Sequence, residues 1–331
     1  MPDVIALTAG DPAGIGPEIA ARARLSLGGD LPFAVVGDPR HFAPAAAKAG
    51  LQISEISQLT DALQAKGLAV LPLEFAAEAI PGRPDHANAP GTIASIDEAV
   101  ALAMSGDAVA VCTLPISKQV LIEGAGFAYP GHTEYLAALG GVDRSVMMLT
   151  APELSVVPVT IHIALAEVSA SLSAEAIAET IRIAHAALVR DFGLPEPRIA
   201  VAGLNPHAGE GGRMGREEID VIAPVLDDLR GSGLRIAGPM PADTMFHAAA
   251  RKTYDVAITM YHDQALIPLK ALNFAEGVNA TLGLPFVRTS PDHGTAFGLA
   301  GSGRADPTSL IAALRTAYAM AKSRADHDRR R

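Results

Sequence analysis

Three histidines stand at or just after the predicted carboxyl ends of three strands: His162, His207 and His262. In open α/β sheets, ligands bind outside the carboxyl ends of the strands. Because tertiary structure brings such ends together, three imidazoles on one edge could bind a divalent metal and leave a position open for substrate. A histidine buried in the core is the alternative for each residue taken singly. The shared position of all three favours a metal site.

Cationic and polar side chains follow the last of these histidines. Lys270 and Arg288 lie in otherwise apolar segments, which indicates a bound anion, since Arg offers phosphate a bidentate fork and Lys a point charge. An internal ion pair with Asp263 or Asp292 is the alternative. Asn279, in the Gly-flanked GVNATLG, could donate to an oxyanion or cap a turn. The composition of this stretch predicts a rigid pocket wall.

Two other segments carry candidate polar groups. His132 and Thr133 follow a Pro-Gly turn at a predicted helix start, where Thr133 could be an N-cap, a ligand contact, or both. Asp243 could orient a metal-binding histidine or cap the helix TMFHAAAR. Five other histidines lie on predicted helices, in polar loops or in the tail, where no chemistry is expected: His41, His86, His185, His247 and His327.

The elements that would position these residues alternate between short apolar strands and helices. The main predicted strands are Val4–Thr8, Phe33–Gly37, Leu68–Leu73, Ala108–Thr113, Val146–Leu149, Ser155–Ile161, Arg198–Ala202, Leu234–Ala237 and Asp255–Met260. Predicted helices include Ile93–Met104 (ended by Gly106), Ser173–Phe192 (capped by Ser173), Glu217–Leu229 and Pro307–Arg324, before a frayed tail. The alternation predicts an α/β fold with a mainly parallel sheet covered on both faces.

The first strand is followed by a glycine-rich turn, AGDPAGIGPE, after which a helix begins. Such a turn can cradle an anion or a ligand, and a plain βα turn is the alternative. The glycines stand at Gly10, Gly14 and Gly16, which matches neither the Rossmann nor the Walker spacing. The nucleotide-binding fingerprints are therefore absent from this turn.

Length and composition limit the class of protein. A chain of 331 residues with 49% apolar and 19% charged residues predicts two globular domains. A net charge of −10 without a basic stripe disfavours nucleic-acid binding. No apolar run reaches the roughly 20 residues of a membrane span, and no signal peptide is recognisable at the start. The single cysteine, Cys112, cannot form an internal disulfide and is predicted to lie in the core. Taken together, these features predict a cytoplasmic, soluble protein.

Taken together, the segments resemble a known enzyme family. The motifs are GDPAGIGPE, LPISK, PGHTEYLA, VTIHIAL, LNPHAGEGGRMGREE, GPMPADTMF, YHDQALIPLK and GVNATLGLPFVRTSPDHGTAF. They resemble the 4-hydroxythreonine-4-phosphate dehydrogenases of the vitamin B6 pathway, in the same order from about residue 10 to residue 300.

The resemblance implies a fold like that of the isocitrate and isopropylmalate dehydrogenases, with two α/β/α domains around a cleft and largely parallel sheets. The expected first domain comprises residues 1–135 and 293–331, and the second comprises residues 136–292. The resemblance also implies a homodimer, with the dimer contact in the second domain and a site shared across the subunits.

The resemblance places the metal on His162, His207 and His262, one of them donated across the dimer, with zinc, magnesium or cobalt as the ion. It implies NAD or NADP as the cofactor, with the residues that bind it left open. Substrate contacts fall on His132, Thr133, Lys270, Asn279 and Arg288. Candidates for the general base are His132, Asp243 and Lys270. Ala164, Ala265 and Gly298 depart from the family pattern, and of these Gly298 is expected nearest the cofactor.

The implied reaction is metal-dependent oxidation of 4-(phosphooxy)-L-threonine to 2-amino-3-oxo-4-(phosphooxy)butanoate, which decarboxylates to 3-amino-2-oxopropyl phosphate. A dehydrogenase of 4-phospho-D-threonate or 4-phospho-D-erythronate is the nearest alternative. The phosphate-binding residues argue against a third family substrate, an aromatic cis-dihydrodiol. An acyl transferase of related fold is less favoured, because acyl transfer needs no three-histidine metal site. A third alternative is a metal- and phosphosugar-binding protein without catalysis.

Overall fold

The computed structural model describes residues 3–330. In chain order the strands are β1 (Ile5–Thr8), β2 (Phe33–Gly37), β3 (Ile53–Glu55), β4 (Leu68–Pro72), β5 (Ala110–Cys112), β6 (Val146–Ala151), β7 (Leu154–Pro158), β8 (Arg198–Ala202), β9 (Arg235–Met240), β10 (Val256–Thr259), β11 (Val278–Leu282) and β12 (Arg288–Pro291). The α-helices are α1 (Gly16–Leu27), α2 (Pro39–Lys48), α3 (Ala89–Ser105), α4 (Lys118–Ala125), α5 (His132–Leu139), α6 (Val168–Ser171), α7 (Ala174–Arg190), α8 (Ala223–Gly231), α9 (Ala248–Arg251), α10 (His262–Leu272) and α11 (Thr308–Arg329).

The first of two units comprises Met1–Ser145 and Leu284–Lys322. Its strands pair in the order β3-β4-β2-β1-β5-β12, and every pair is parallel. Because parallel strands are covered on both faces, they are mostly apolar and buried, as β1 is with the fully buried sequence IALT. In α1, Pro17 occupies the first turn, where its missing N–H costs nothing.

The second unit comprises Val146–Gly283 and Ser323–Arg331. Its strands follow the order β11-β6-β7-β10-β8-β9. The pairs β11–β6 and β6–β7 are antiparallel, whereas β7–β10, β10–β8 and β8–β9 are parallel. Helix α10 packs its buried face, Ala265, Leu266 and Leu269, into the core of this unit. The predicted α/β class with largely parallel sheets is confirmed.

Several local predictions are confirmed by the caps. Ser173 accepts a hydrogen bond from the Ala176 amide at 3.0 Å and so caps α7. Gly106 ends α3 with a φ of 87°, a left-handed conformation that favours glycine. Cys112 is fully buried, as predicted, and burial raises its pKa to about 12.

Three local predictions are wrong. Thr133 is no cap, because α5 starts one residue earlier, at His132 after Gly131. Asp243 does not cap a helix over TMFHAAAR, since that helix forms only at α9 and His247 accepts from the Ala250 amide. The tail does not fray at residue 324, because ion pairs extend α11: Arg324 with Asp191 at 2.7 Å, and Asp328 with Arg190 at 2.6 Å.

The boundaries of the two units differ from the expected domain boundaries. Leu284 and Phe286 belong to the hydrophobic core of the first unit, and β12 pairs with β5 there. The first unit therefore resumes at Leu284, earlier than the expected residue 293, and includes Arg288. Residues 323–330 belong to the second unit, where Arg324 and Asp328 form the ion pairs described above. Among residues 3–330, no helix is long and apolar enough to span a membrane.

Candidate functional site

The three candidate metal ligands follow three neighbouring parallel strands of the second unit. His162 lies four residues after β7, His207 five residues after β8, and His262 three residues after β10. Strand β10 lies between β7 and β8 in the sheet and pairs in parallel with both. The carboxyl ends of the three strands therefore share one edge of the sheet. The metal role of the three histidines stays a prediction.

Two of these imidazoles are close to each other. The ring centroids of His162 and His262 are 5.9 Å apart, with the ring planes inclined by 44°. The Nδ1 atom of His262 is 2.7 Å from Oδ1 of Asp263. A carboxylate at Nδ1 holds the proton there, which leaves the Nε2 lone pair for a ligand. The carboxylate that orients this histidine is thus Asp263, whereas Asp243 is exposed on a short helical turn, Ala242–Thr244.

His207 lies on a segment with unusual backbone geometry. His207, Ala208 and Glu210 have positive φ values of 52°, 52° and 43°, and the glycines beside them are also left-handed. Such conformations are costly for residues with a Cβ and persist where the surroundings hold them. The result is an exposed His207 imidazole on a tightly wound loop.

A buried carboxylate holds this loop. Glu218, 3% exposed, accepts a hydrogen bond from the Asn205 amide at 2.7 Å and another from Asn205 Nδ2 at 3.0 Å. Glu217 also accepts from Asn205 Nδ2, and hydrogen bonds from Ser169 and Asn205 lower its pKa to about 2. These residues were missed in the sequence, where the only indication was two adjacent glutamates in a Gly-rich motif.

The structure brings two of the three histidines together and does not complete a metal centre within one chain. Among residues 3–330, no three His, Cys, Asp or Glu side chains are grouped so that they could hold a metal ion. The neighbouring imidazoles of His162 and His262 are two candidate metal ligands, and a complete set of ligands needs at least one further donor.

The two other candidate residues of the second unit lie on α10 and β11. Lys270 is on α10, with its ammonium 5.8 Å from the ring centroid of Phe274, which is 78% exposed. Asn279 is on β11, and its buried Oδ1 accepts no hydrogen bond from the described residues. An amide oxygen buried in this way is available to a ligand donor.

The candidate residues of the first unit centre on a buried guanidinium. Arg288 is 2% exposed at the start of β12, where it pairs in register with Val111 of β5. It donates to Thr113 Oγ1 at 2.6 Å, and burial lowers its pKa to about 10, so it is still charged at neutral pH. A buried cation is a strong attractor for an anion such as phosphate.

His132 begins α5 in the same unit, and its buried Nε2 has no hydrogen-bond partner among residues 3–330. Burial, followed by repulsion from Arg288, lowers the pKa of His132 to about 3. The imidazole is therefore neutral at physiological pH and can exchange a hydrogen bond with a ligand. Thr133, the next residue of α5, accepts a hydrogen bond from Ser145 Oγ at its main-chain oxygen, at 3.4 Å.

The depressed pKa of His132 predicts how stability depends on pH. Between about pH 6.5 and pH 3 the unfolded chain binds a proton at this residue that the folded chain does not. The free energy of unfolding therefore falls as the pH drops through this window, by about 1–2 kcal/mol between pH 7 and pH 5. Urea titrations at both pH values should show a smaller loss for His132→Gln. Equal losses for the two proteins would contradict a neutral, buried His132.

The family model described as "Pyridoxal phosphate biosynthetic protein PdxA" matches residues 31–317. The chain belongs to this family. A 4-hydroxythreonine-4-phosphate dehydrogenase of Ruegeria sp. (strain TM1040) is 56% identical over 325 residues, which cover 98% of this chain and 98% of the relative. The family predicted from the motifs is thereby confirmed, and the relatives identify the PdxA protein as an oxidoreductase.

Solved structures agree with the fold. The crystal structure of 4-hydroxythreonine-4-phosphate dehydrogenase from Klebsiella pneumoniae has a TM-score of 0.88 and 38% identity, covering 96% of this PdxA chain and 99% of its own. A terephthalate 1,2-cis-dihydrodiol dehydrogenase from Burkholderia xenovorans has a TM-score of 0.67 and 30% identity, covering 96% of this chain and 97% of its own. The PdxA fold is thus shared by dehydrogenases of different substrates.

Proposed function

We propose that this protein oxidises the secondary alcohol of 4-(phosphooxy)-L-threonine with NAD or NADP, in the biosynthesis of pyridoxal 5'-phosphate. The product is 2-amino-3-oxo-4-(phosphooxy)butanoate, a β-keto acid that loses CO₂ to give 3-amino-2-oxopropyl phosphate. The observation that carries the proposal is the 56% identity, over 98% of the chain, with a relative of that name.

A divalent metal fits the donor set of the second unit. Imidazole nitrogen binds zinc and cobalt well, and the Asp263 carboxylate on His262 supports such a role. His162, His207 and His262 would hold the ion, with one of them supplied by a second subunit, as a homodimer allows. When bound, the metal supplies Lewis-acid polarisation of the substrate alcohol. Magnesium prefers oxygen ligands, so this donor set favours zinc or cobalt.

We assign the phosphoryl group of the substrate to Arg288 of the first unit, whereas Lys270 and Asn279 of the second unit are proposed as contacts with other groups of the substrate. Arg288 is a fixed, buried cation whose guanidinium matches the fork of a phosphate. Asn279 offers a buried amide oxygen, which suits a donor such as a substrate ammonium. We assign His132 and Thr133, which lie on the same helical turn, to contacts with polar groups of the substrate.

The proton of the alcohol needs an acceptor. A His132 side chain with a pKa of about 3 is a weak base, so we assign it a hydrogen bond to the substrate and no proton transfer. Asp243 and Lys270 are the remaining candidates for the general base. Asp243 is exposed, whereas Lys270 is half-buried beside Phe274, and partial shelter from water favours Lys270.

A nicotinamide reduction assay tests the proposed function. The purified protein, loaded with Zn²⁺ or Co²⁺, is given 4-(phosphooxy)-L-threonine and 4-phospho-D-threonate side by side, and absorbance at the reduced cofactor band is followed. We expect kcat/KM for the amino acid to exceed that for the sugar acid by at least about 100-fold, near 2.7 kcal/mol. The reverse ranking would make the protein a sugar-acid phosphate dehydrogenase.

We also propose a cytoplasmic homodimer. In this proposal a second chain supplies one histidine of the metal site, and the described residues of one chain form no three-ligand group of their own. Light scattering on the purified protein, with and without Zn²⁺, tests this assembly. A monomer that turns over substrate at full rate would contradict the shared site.

A further inference from the structure

The turn that carries His207 is wound in the left-handed sense. Five consecutive residues, 207–211, have φ values between 43° and 78°. Glycine adopts this region routinely, whereas runs of residues with a Cβ are rare in it, because each Cβ crowds the following carbonyl oxygen. Three of the five residues, His207, Ala208 and Glu210, carry a Cβ. The turn therefore depends on contacts from outside itself to keep this conformation.

Two carboxylates hold the turn through Asn205. The main-chain amide and the side chain of Asn205 donate to Glu218 at 2.7 Å and 3.0 Å, and the same Nδ2 donates to Glu217 at 2.7 Å. The main-chain oxygen of Asn205 accepts a hydrogen bond from the Ala208 amide at 3.0 Å. Asn205 thus connects the turn to the start of the next helical segment, Glu218–Ile222.

Two glycines leave room for these contacts. A Cβ on Gly209 would lie 2.6 Å from Oε2 of Glu218, and a Cβ on Gly215 would overlap the side chain of Asn205. Both glycines also have positive φ values, 78° and 122°. The side chains of Asn205 and Glu218 are therefore packed directly against the backbone of the turn, and their positions fix its shape.

The neighbouring carboxylate, Glu217, also contacts the segment that follows His162. Its Oε1 accepts a hydrogen bond from Ser169 Oγ at 2.5 Å, whereas its Oε2 accepts from Asn205 Nδ2 at 2.7 Å. Ser169 lies on α6, seven residues after His162. One carboxylate therefore joins the segments that carry His162 and His207.

We propose that Glu217 is a positioning residue for the metal centre, which holds the loops of His162 and His207 in a fixed relation. It acts through Ser169 on the first loop and through Asn205 on the second. Because both histidines are exposed, packing in the core does not fix their imidazoles, and hydrogen bonds beyond the ligands set where they lie. The inference rests on the proposed metal-dependent function and adds the residues that prepare the site for the ion.

Three substitutions separate the hydrogen bonds of Glu217 from its charge. Glu217→Gln presents an amide oxygen to Asn205 and an amide N–H to Ser169, whose hydroxyl accepts as well as donates, so both links are kept. Glu217→Ala removes both links. Ser169→Ala removes only the link to the His162 loop.

Zinc affinity of the intact protein, measured by competition with a chromogenic chelator, tests the proposal without substrate, cofactor or turnover. We expect Glu217→Ala to bind Zn²⁺ about 30-fold more weakly than the wild type, and Ser169→Ala about 10-fold more weakly. Glu217→Gln should stay within about 3-fold, because its hydrogen bonds persist. Ser105→Ala is the matched control: it removes a serine–carboxylate hydrogen bond of 2.7 Å to Asp107 in the first unit, and zinc affinity should not change.

The visible absorption of bound Co²⁺ gives a second readout, because it reports the geometry of the ligands. A positioning role predicts an altered spectrum for Glu217→Ala and the wild-type spectrum for Glu217→Gln. A purely structural role predicts a lower free energy of unfolding with unchanged zinc affinity and spectrum, and that result would overturn the proposal. Because Ser169 is exposed, its variant tests the link even where Glu217→Ala fails to fold.

The outcomes separate this proposal from the function on which it rests. Wild-type zinc affinity in both Ser169→Ala and Glu217→Ala, with dehydrogenase activity retained, would overturn the positioning role and leave the function intact. The predicted losses of zinc affinity, in a protein that oxidises neither 4-(phosphooxy)-L-threonine nor 4-phospho-D-threonate, would support the positioning role and overturn the proposed function. A wild type that binds neither Zn²⁺ nor Co²⁺ would overturn both.

Discussion

His207→Asn is expected to lose its bound divalent metal and at least about 1,000-fold in kcat/KM, near 4 kcal/mol of transition-state stabilisation. Asparagine is chosen because residue 207 has a φ of 52°, and Asn tolerates the left-handed region better than Ala. The loop geometry is therefore kept while the imidazole is removed. Metal content by atomic emission and turnover with 4-(phosphooxy)-L-threonine measure the two effects.

A matched control isolates the metal from general effects of losing a histidine. His86→Asn removes an exposed imidazole that pairs with Glu123 in the first unit, and it should leave metal content and turnover unchanged. Stoichiometric zinc and full activity in His207→Asn would exclude His207 from the metal centre. The unfolding free energy of both variants should stay within about 1 kcal/mol of the wild type, because both sites are exposed.

Arg288→Met is expected to raise KM for 4-(phosphooxy)-L-threonine by about 100- to 1,000-fold, or roughly 3–4 kcal/mol, because truncating one partner of a buried charge contact costs that much. Methionine fills most of the volume of the arginine stem. The fold should survive, since replacing a buried charge with an apolar group of similar size is often neutral for stability. Steady-state kinetics and thermal unfolding check the two statements.

The dephosphorylated analogue, 4-hydroxy-L-threonine, provides the comparison for this variant. It has no phosphoryl group for Arg288 to bind, so its already weak turnover should change less than about 3-fold. Arg288→Lys keeps the charge without the fork and should fall between the wild type and Arg288→Met. Equal losses for the phosphorylated and dephosphorylated substrates would assign Arg288 a structural role.

Many strands and helix ends could be predicted from the local sequence. The strands Phe33–Gly37 and Arg198–Ala202 were predicted with the ends that the structure gives them, because continuous apolar runs between turn residues are typical of parallel strands. Gly106 and Ser173 marked helix ends for reasons that lie within one turn of the chain. The prediction that the chain frays from residue 324 was wrong, because Arg324 and Asp328 pair with Asp191 and Arg190, which are more than 130 residues away in sequence.

The candidate site was readable only in part. The three histidines were identified from their positions after strands, and the order of the strands in the sheet confirms that these positions share an edge. The Glu218 carboxylate that holds the His207 loop was missed, since its contact with Asn205 depends on a left-handed backbone that has no simple sequence pattern. His41 was predicted to be a helix residue without chemistry, and in the structure it lies on α2, buried, with its Nε2 2.9 Å from the Ala77 carbonyl oxygen.

The sequence by itself determined the family, the α/β class and the residue types of the site, because motifs and hydrophobic periodicity are properties of the chain read in order. Only the tertiary structure decided that the rings of His162 and His262 lie 5.9 Å apart, that Asp263 orients one of them, and that Arg288 belongs to the first unit. The physical reason is that distance, burial and charge environment arise from packing between residues far apart in sequence. Distance, burial and charge environment set the pKa values and the ligand geometry, and they are defined only in the folded chain, where the strands are paired.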